Sequence, residues 1–200
     1  MKEMSREVGI EIDALTLAVV RQKLLAVSEE IVETMVRTCF SPLLNQSRDL
    51  SAVVLDGEAQ VVAQAERTPI HMGAMPFAVR AMAEDFSDRV GPNDVIMAND
   101  PYWGGSHLPD ITLVKPVFRD NKLRFWVAIR AHQSDTGGIS AGGYSPSATE
   151  IFHEGLRIPP VKLVDGLGLR DDVLRLVCEN TRKPEDTHGD ILAMLASVNV

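Results

Sequence analysis

Two apolar runs, residues 111–118 and 123–132, are separated only by Arg119-Asp-Asn-Lys122, and this arrangement constrains the fold more than anything else in the chain. A short polar break between two strand-like runs predicts a β-hairpin. Both runs are apolar at successive rather than alternate positions, which predicts strands covered on each face. Pro116 places the first strand at an edge or beside a bulge, because proline has no amide to donate to a ladder. A second hairpin is predicted where residues 51–55 and 60–64 flank Asp56-Gly57, a strong turn signal.

Helices complete the outline. Asp13 is the predicted N-cap of a long helix reaching about Thr38, with Leu15, Val19, Leu24, Val27, Ile31 and Met35 at helical spacing. Glu29, Glu30 and Glu33 then face solvent, and Pro42 ends the run. A further helix is predicted over residues 76–86, followed by the loop Gly91-Pro-Asn-Asp94 and a short strand over 95–98. Segments 99–108 and 133–144 are rich in glycine and polar residues and read as loops. Two helical stretches follow near 171–179 and 184–200, where only Asn199 offers a stop signal. The expected class is α+β: hairpins forming a mixed or antiparallel sheet, covered by the long N-terminal helix and further helices. No internal repeat is evident. Residues 165–200 read as a helical tail, and the chain reads as a portion of a longer protein.

The hairpin gives chemistry a place to gather. His107 and Asp110 form an H-x-x-D element before the first strand, and His132 ends the second. If the chain reverses near Asp120-Asn121, Asp110 and His132 meet at one end of the sheet. They share a face only if the loop has an odd number of residues or a bulge shifts the register. Two imidazoles and a carboxylate suit Zn, Mn or Fe(II) and leave positions open for water and substrate. Asp49, at the opening of the first hairpin, is a candidate fourth ligand. Asp135, Glu150 and Glu154 are candidate bases or supporting groups. The plainer alternative is that Pro109 and Asp110 cap a turn while His132 is a hydrogen-bonded histidine at a strand end.

Other residues carry weaker signals. His71 lines a pocket or packs as a loop histidine on Met72 and Met75, and Tyr102 and Trp103 flank a substrate or simply pack. His153 is ambiguous, and His188 reads as structural. The glycines at 137, 138, 142 and 143 lack the order and the Lys-Ser/Thr of a phosphate loop, so they read as a flexible pocket wall. No G-x-S-x-G elbow is present, and neither cysteine has a histidine beside it in sequence.

Composition excludes several function classes. The net charge of −8 and the lack of a basic run argue against nucleic acid as a partner. No apolar run approaches the ~20 residues of a membrane span, and MKEMSREVGIEID has no apolar leader core. The cysteines, Cys39 and Cys178, are far apart and read as reduced thiols, so the expected location is cytoplasmic.

The stretches RDLSAVVLDGEAQVVAQA, TPIHMGAM, GPNDVIMANDPYWGGSHLPDITLVKPVF, RAHQSDTGG and IFHEGLRIPPVKL, in that order, resemble the hydantoinase B/oxoprolinase family. The resemblance implies the N-terminal portion of a longer catalytic subunit, covering residues 1–200. It implies an ATP-dependent hydrolase of cyclic amides such as hydantoins, 5-oxoproline or lactams. A separate A-type subunit would bind ATP and activate the substrate, giving a hetero-oligomer in which this chain does not itself hold ATP. It further implies a divalent metal on His107, Asp110 and His132, with the position of Asp49 contributing. Around such a centre, Asp135 or Glu154 is expected from its own place in the sequence to move protons, and His71 with Tyr102 to contact substrate. Two alternatives remain open: a subunit of an acetone- or acetophenone-type carboxylase, and a non-catalytic assembly module for the A-type subunit.

Overall fold

The computed structural model describes residues 13–65 and 67–200. Of the segment read above as lacking a leader core, residues 1–12 lie outside them. Helix α1 (Ala14–Thr38) starts where the sequence predicts, the Asp13 carboxylate accepting from the Thr16 amide at 2.9 Å. A short α2 (Pro42–Asn45) follows, capped by Ser41. Strands β1 (Leu50–Asp56) and β2 (Val61–Ala65) form the first hairpin, and α3 (Pro69–Asp85) leads to β3 (Val95–Ala98). The second hairpin is β4 (Asp110–Arg119) and β5 (Lys122–His132). Strands β6 (Val161–Asp165) and β7 (Gly168–Leu169) precede α4 (Asp171–Cys178) and α5 (Pro184–Ser197).

The strands form one sheet in the order β2-β1-β5-β4-β3-β6-β7, every neighbouring pair antiparallel. Because strand side chains alternate between faces, this sheet presents two apolar surfaces. One takes Met75, Val79 and Met82 of α3 against Val53, Leu55, Val114, Trp126 and Ala128. The other takes Ile31 and Met35 of α1, Leu174 and Val177 of α4, and Ile191 and Met194 of α5 against Leu50, Ala52, Ile111, Leu113, Ile129 and Ala131. The sheet is thus the middle of three layers, and the doubly apolar hairpin of the sequence occupies its centre. Each large side chain withdrawn from water here contributes about 1.5–3 kcal/mol before entropy is subtracted.

Three sequence expectations need correction. The helix expected from residue 76 begins at Pro69, with Pro76 inside it. Both prolines suit the first turn of a helix. The stripe His71, Met75, Val79 and Met82 buried against the sheet offsets the local cost of a proline within the helix. The tail expected to be helical from residue 165 first adds β7, and β6 before it was not foreseen. Pro159 and Pro160 masked that strand, although Asp165-Gly166 was a readable turn signal. The apolar stripe of α1 is buried only in its second half, since Leu15 is 75% exposed and Val19 47%. Among the described residues, no helix is long and apolar enough to cross a membrane.

The register condition on the second hairpin is met by a bulge. The turn has two residues, Asp120 and Asn121, at φ 53° and 55°. An even loop of this kind would set Asp110 opposite Ala131 and turn His132 to the far face. The register instead shifts between Val117 and Phe118, leaving Arg124 unpaired, and from there Asp110 lies opposite His132. Pro116 sits just before that shift, beyond the reach of β3, which pairs with β4 only at residues 112–114.

A candidate metal centre at the sheet end

Three adjacent strands finish together on the face covered by α3. Leu50 of β1 lies opposite Ala131, and the next amide, of His132, donates to the Asp49 carbonyl at 3.1 Å. Asp110 is paired with His132 on the other side. His107 folds over the same end because the Asp110 amide closes a tight turn onto the His107 carbonyl at 3.0 Å. His71 arrives from above, in the first turn of α3.

The side chains converge on one carboxylate. His107 Nε2 is 2.9 Å and His132 Nδ1 3.1 Å from Asp110 Oδ1, and the two ring nitrogens are 3.1 Å from each other. Among the described residues, His107, Asp110 and His132 form a group whose ligand atoms lie close enough to hold one metal ion. A proton shared between the nitrogens satisfies only one such contact. A divalent cation would use both lone pairs and the carboxylate oxygen together, so the donor set fits the expected ion. Asp49 stands at the rim, its carboxylate 3.9 Å from His132 Nδ1 and 3.8 Å from His71 Nε2, and it accepts from the Thr68 hydroxyl at 3.1 Å.

Burial and charge act against each other here. Asp110 is 1% exposed, and burial alone would push its carboxyl pKa up. Hydrogen bonds from His107, His132 and His71 overturn that and hold it far below the usual carboxylate range. Burial also disfavours a charged His107, but Asp110, Glu154 and Asp49 outweigh it and raise the imidazole pKa. Arg130, wholly buried on the same face of β5, is pulled by burial down to about 10 against the opposing charge of Asp110. Its Nε donates to the Thr112 hydroxyl at 2.8 Å and Nη1 to the Ser106 hydroxyl at 3.3 Å.

An open cleft of about 200 Å³ leads to the cluster, lined by His107, Gly143, Tyr144, Ser145 and Glu154. A larger apolar groove of about 1080 Å³ between α4 and α5 shares no lining residue with the cluster. The convergent polar groups, not the greater volume, identify the candidate site.

The remaining expected residues divide. Glu154 lies in the cleft wall together with His107. Asp135 does not join the cluster. Its Oδ1 accepts from the Gly137 and Arg182 amides and its Oδ2 from the Gly142 amide and the Arg182 guanidinium, so both oxygens are spent on holding the glycine loop. Its pKa is lowered because those donors outweigh burial. His71 is helical rather than in a loop, and it is closed to solvent with Nε2 3.2 Å from Asp110 Oδ2. Tyr102 is exposed on a 3-10 turn that packs against α3 through Gly104. Glu150 stands outside the cleft, paired with His153 at 3.1 Å.

Sequence reasoning missed Ser106, Arg130 and Arg182. Arg130 had a readable signal, a charge set among the apolar residues 125–131 of a strand expected to be apolar on both faces.

Comparison with known proteins places this geometry in context. The model of the Hydantoinase B/oxoprolinase family matches residues 13–200. The beta subunit of caprolactamase from Pseudomonas jessenii is 38% identical over 189 residues, which cover 94% of this chain and 32% of that one. A 5-oxoprolinase of Pestalotiopsis fici is 33% identical over 196 residues, covering 94% of this chain and 15% of that protein. The chain therefore spans a third or less of the length of these relatives. The crystal structure of ATP-dependent caprolactamase from Pseudomonas jessenii superposes with a TM-score of 0.87 at 36% identity, covering 95% of this chain and 33% of that one. A nucleotide-free acetone carboxylase structure shares the fold, with a TM-score of 0.76 at 23% identity over 91% of this chain and 26% of the other.

Proposed function

Because the chain belongs to the hydantoinase B/oxoprolinase family, we propose that it supplies the metal-holding part of a subunit that opens cyclic amides after ATP-dependent activation. Caprolactamase and 5-oxoprolinase, both acting on rings that contain an amide, support this substrate class. The observation that carries the reading is the convergence of His107, Asp110 and His132 beside an open cleft that His107 lines. ATP would be held by an A-type partner subunit, and the two chains would form a hetero-oligomer.

His107, Asp110 and His132 would hold a zinc, manganese or iron ion, with Asp49 as the outer ligand. Such an ion acidifies water and polarises a carbonyl oxygen. Glu154, in the cleft wall beside His107, accepts a proton from the attacking water and returns it to the ring nitrogen as the C–N bond breaks. Tyr102 would contact substrate from its exposed turn. Asp135 takes no part in proton transfer, since four donors already occupy its carboxylate. His71 acts behind the ligands, not on the substrate.

The test is a double variant, His107→Ala with His132→Ala, assayed with the A-type partner and ATP on caprolactam and 5-oxoproline. Loss of both bound metal and turnover is expected. Full turnover in a metal-free double variant overturns the reading, and turnover that requires bicarbonate moves the assignment to a carboxylase.

A further inference from the structure

The two oxygens of Asp110 have different surroundings. Oδ1 faces His107 and His132 at 2.9 and 3.1 Å. Oδ2 faces the other way, hydrogen-bonded by the Ser106 hydroxyl and lying 3.2 Å from His71 Nε2. Ser106 in turn accepts from Arg130 Nη1, and its single hydroxyl proton is thereby directed at Oδ2. Arg130 is itself fixed by Thr112 through Nε and buried beneath the cluster.

We propose that Ser106 and His71 clamp Oδ2 so that Asp110 offers a metal one oxygen only, with Arg130 as the positioning residue that orients Ser106. The proposal rests on the metal reading given above and adds which ions the site selects. A carboxylate bound through one oxygen, with two imidazoles, suits an ion of low coordination number such as Zn(II). Ions that take six or more oxygen-rich ligands gain from a carboxylate free to bind through both atoms. Arg130 contributes by charge as well as by hydrogen bond, since its guanidinium lies beneath the same carboxylate and balances it in the interior.

The experiment compares Zn(II) and Mn(II) affinity by chelator competition on the full chain, for wild type, Ser106→Ala, Ser106→Thr and His71→Leu. Partners that orient a ligand change affinity about 10–100-fold when removed, so the preference for zinc over manganese should fall about 10-fold in Ser106→Ala. Ser106→Thr keeps the hydroxyl and should keep the wild-type ratio, an outcome that mere loss of packing would not produce. Ser106 lies in a half-buried loop, so its variants report even if His71→Leu fails to fold. A wild-type chain that binds neither ion overturns the metal reading itself. Binding by wild type with an unchanged zinc-to-manganese ratio in Ser106→Ala overturns the clamp alone.

Discussion

His107 Nε2 and His132 Nδ1 lie 3.1 Å apart although 25 residues separate them in the chain. Both rest on the same oxygen of Asp110, and their rings are tilted 39° to each other with centroids 4.9 Å apart. The hairpin between them fixes this approach, because β4 and β5 bring residues 110 and 132 face to face. The consequences for metal binding, loop order and stability can be measured separately.

Asp110 and Asp49 should differ sharply as ligands. Asp110 is buried and touches both imidazoles, whereas Asp49 is partly exposed and stands 3.9 Å from the nearer ring nitrogen of that pair. Asp110→Asn should lower zinc affinity by about 100-fold and Asp49→Asn by about 10-fold. Isothermal titration with Zn(II) tells them apart, and equal losses would place Asp49 among the inner ligands.

Arg182 fastens the glycine loop beside the cleft. Its guanidinium donates to the Gly137, Gly138 and Ser140 carbonyls at 3.1, 2.6 and 3.4 Å, while Asp135 holds the amides of the same loop. Arg182→Ala should speed amide hydrogen exchange over residues 137–143 and leave the central strands protected. Unchanged exchange there would show that Asp135 alone suffices.

Asp190 gives a signed pH dependence. Burial raises its pKa above the ordinary aspartate value, although the Ser41 and Phe40 amides partly oppose the shift. Between the unfolded value of about 3.9 and the raised folded value, the native state binds more protons than the unfolded one. This group therefore stabilises the fold more at low pH, and that contribution is lost as pH rises through the folded pKa. Asp190→Asn keeps an oxygen for the two amides and removes the ionisation. The difference in unfolding free energy between wild type and variant, followed by urea titration from pH 3 upward, should move in the variant's favour as pH rises.

Gly104 anchors the turn that carries Tyr102. It sits at φ 82°, and a Cβ there would lie 2.5 Å from the Ala78 amide nitrogen in α3. Neither strain nor clash is relieved by moving a flexible side chain, so Gly104→Ala should cost about 2–3 kcal/mol in urea unfolding.

Most of the frame was legible because it is written in local signals. Asp13 marks the start of α1, Asp56-Gly57 the first hairpin and Asp120-Asn121 the second, and each depends on a few neighbouring residues. The convergence of His107, Asp110 and His132 was legible too, since the hairpin brings residues 110 and 132 face to face. His71 was singled out, but its place in a helix was not, because the helix start depended on which of two prolines opened α3, and burial against the sheet decided that. The link between Arg130 and Ser106 was hidden because it joins a strand to a loop 24 residues away, where spacing along the chain carries no information. Asp135 carries a signal that the structure answers differently. Its place beside glycines resembles that of an active-site acid, yet its oxygens close a loop.

The unpaired residue Arg124 has a consequence for how such a chain can change over generations. A single insertion or deletion within either arm of the β4–β5 hairpin alters parity, and unless the turn absorbs it, His132 passes to the opposite face from Asp110. Residues added in pairs, one to each arm, leave the two aligned. Length variation at this tip should therefore come in steps of two among chains that keep the histidine, or be confined to the turn itself.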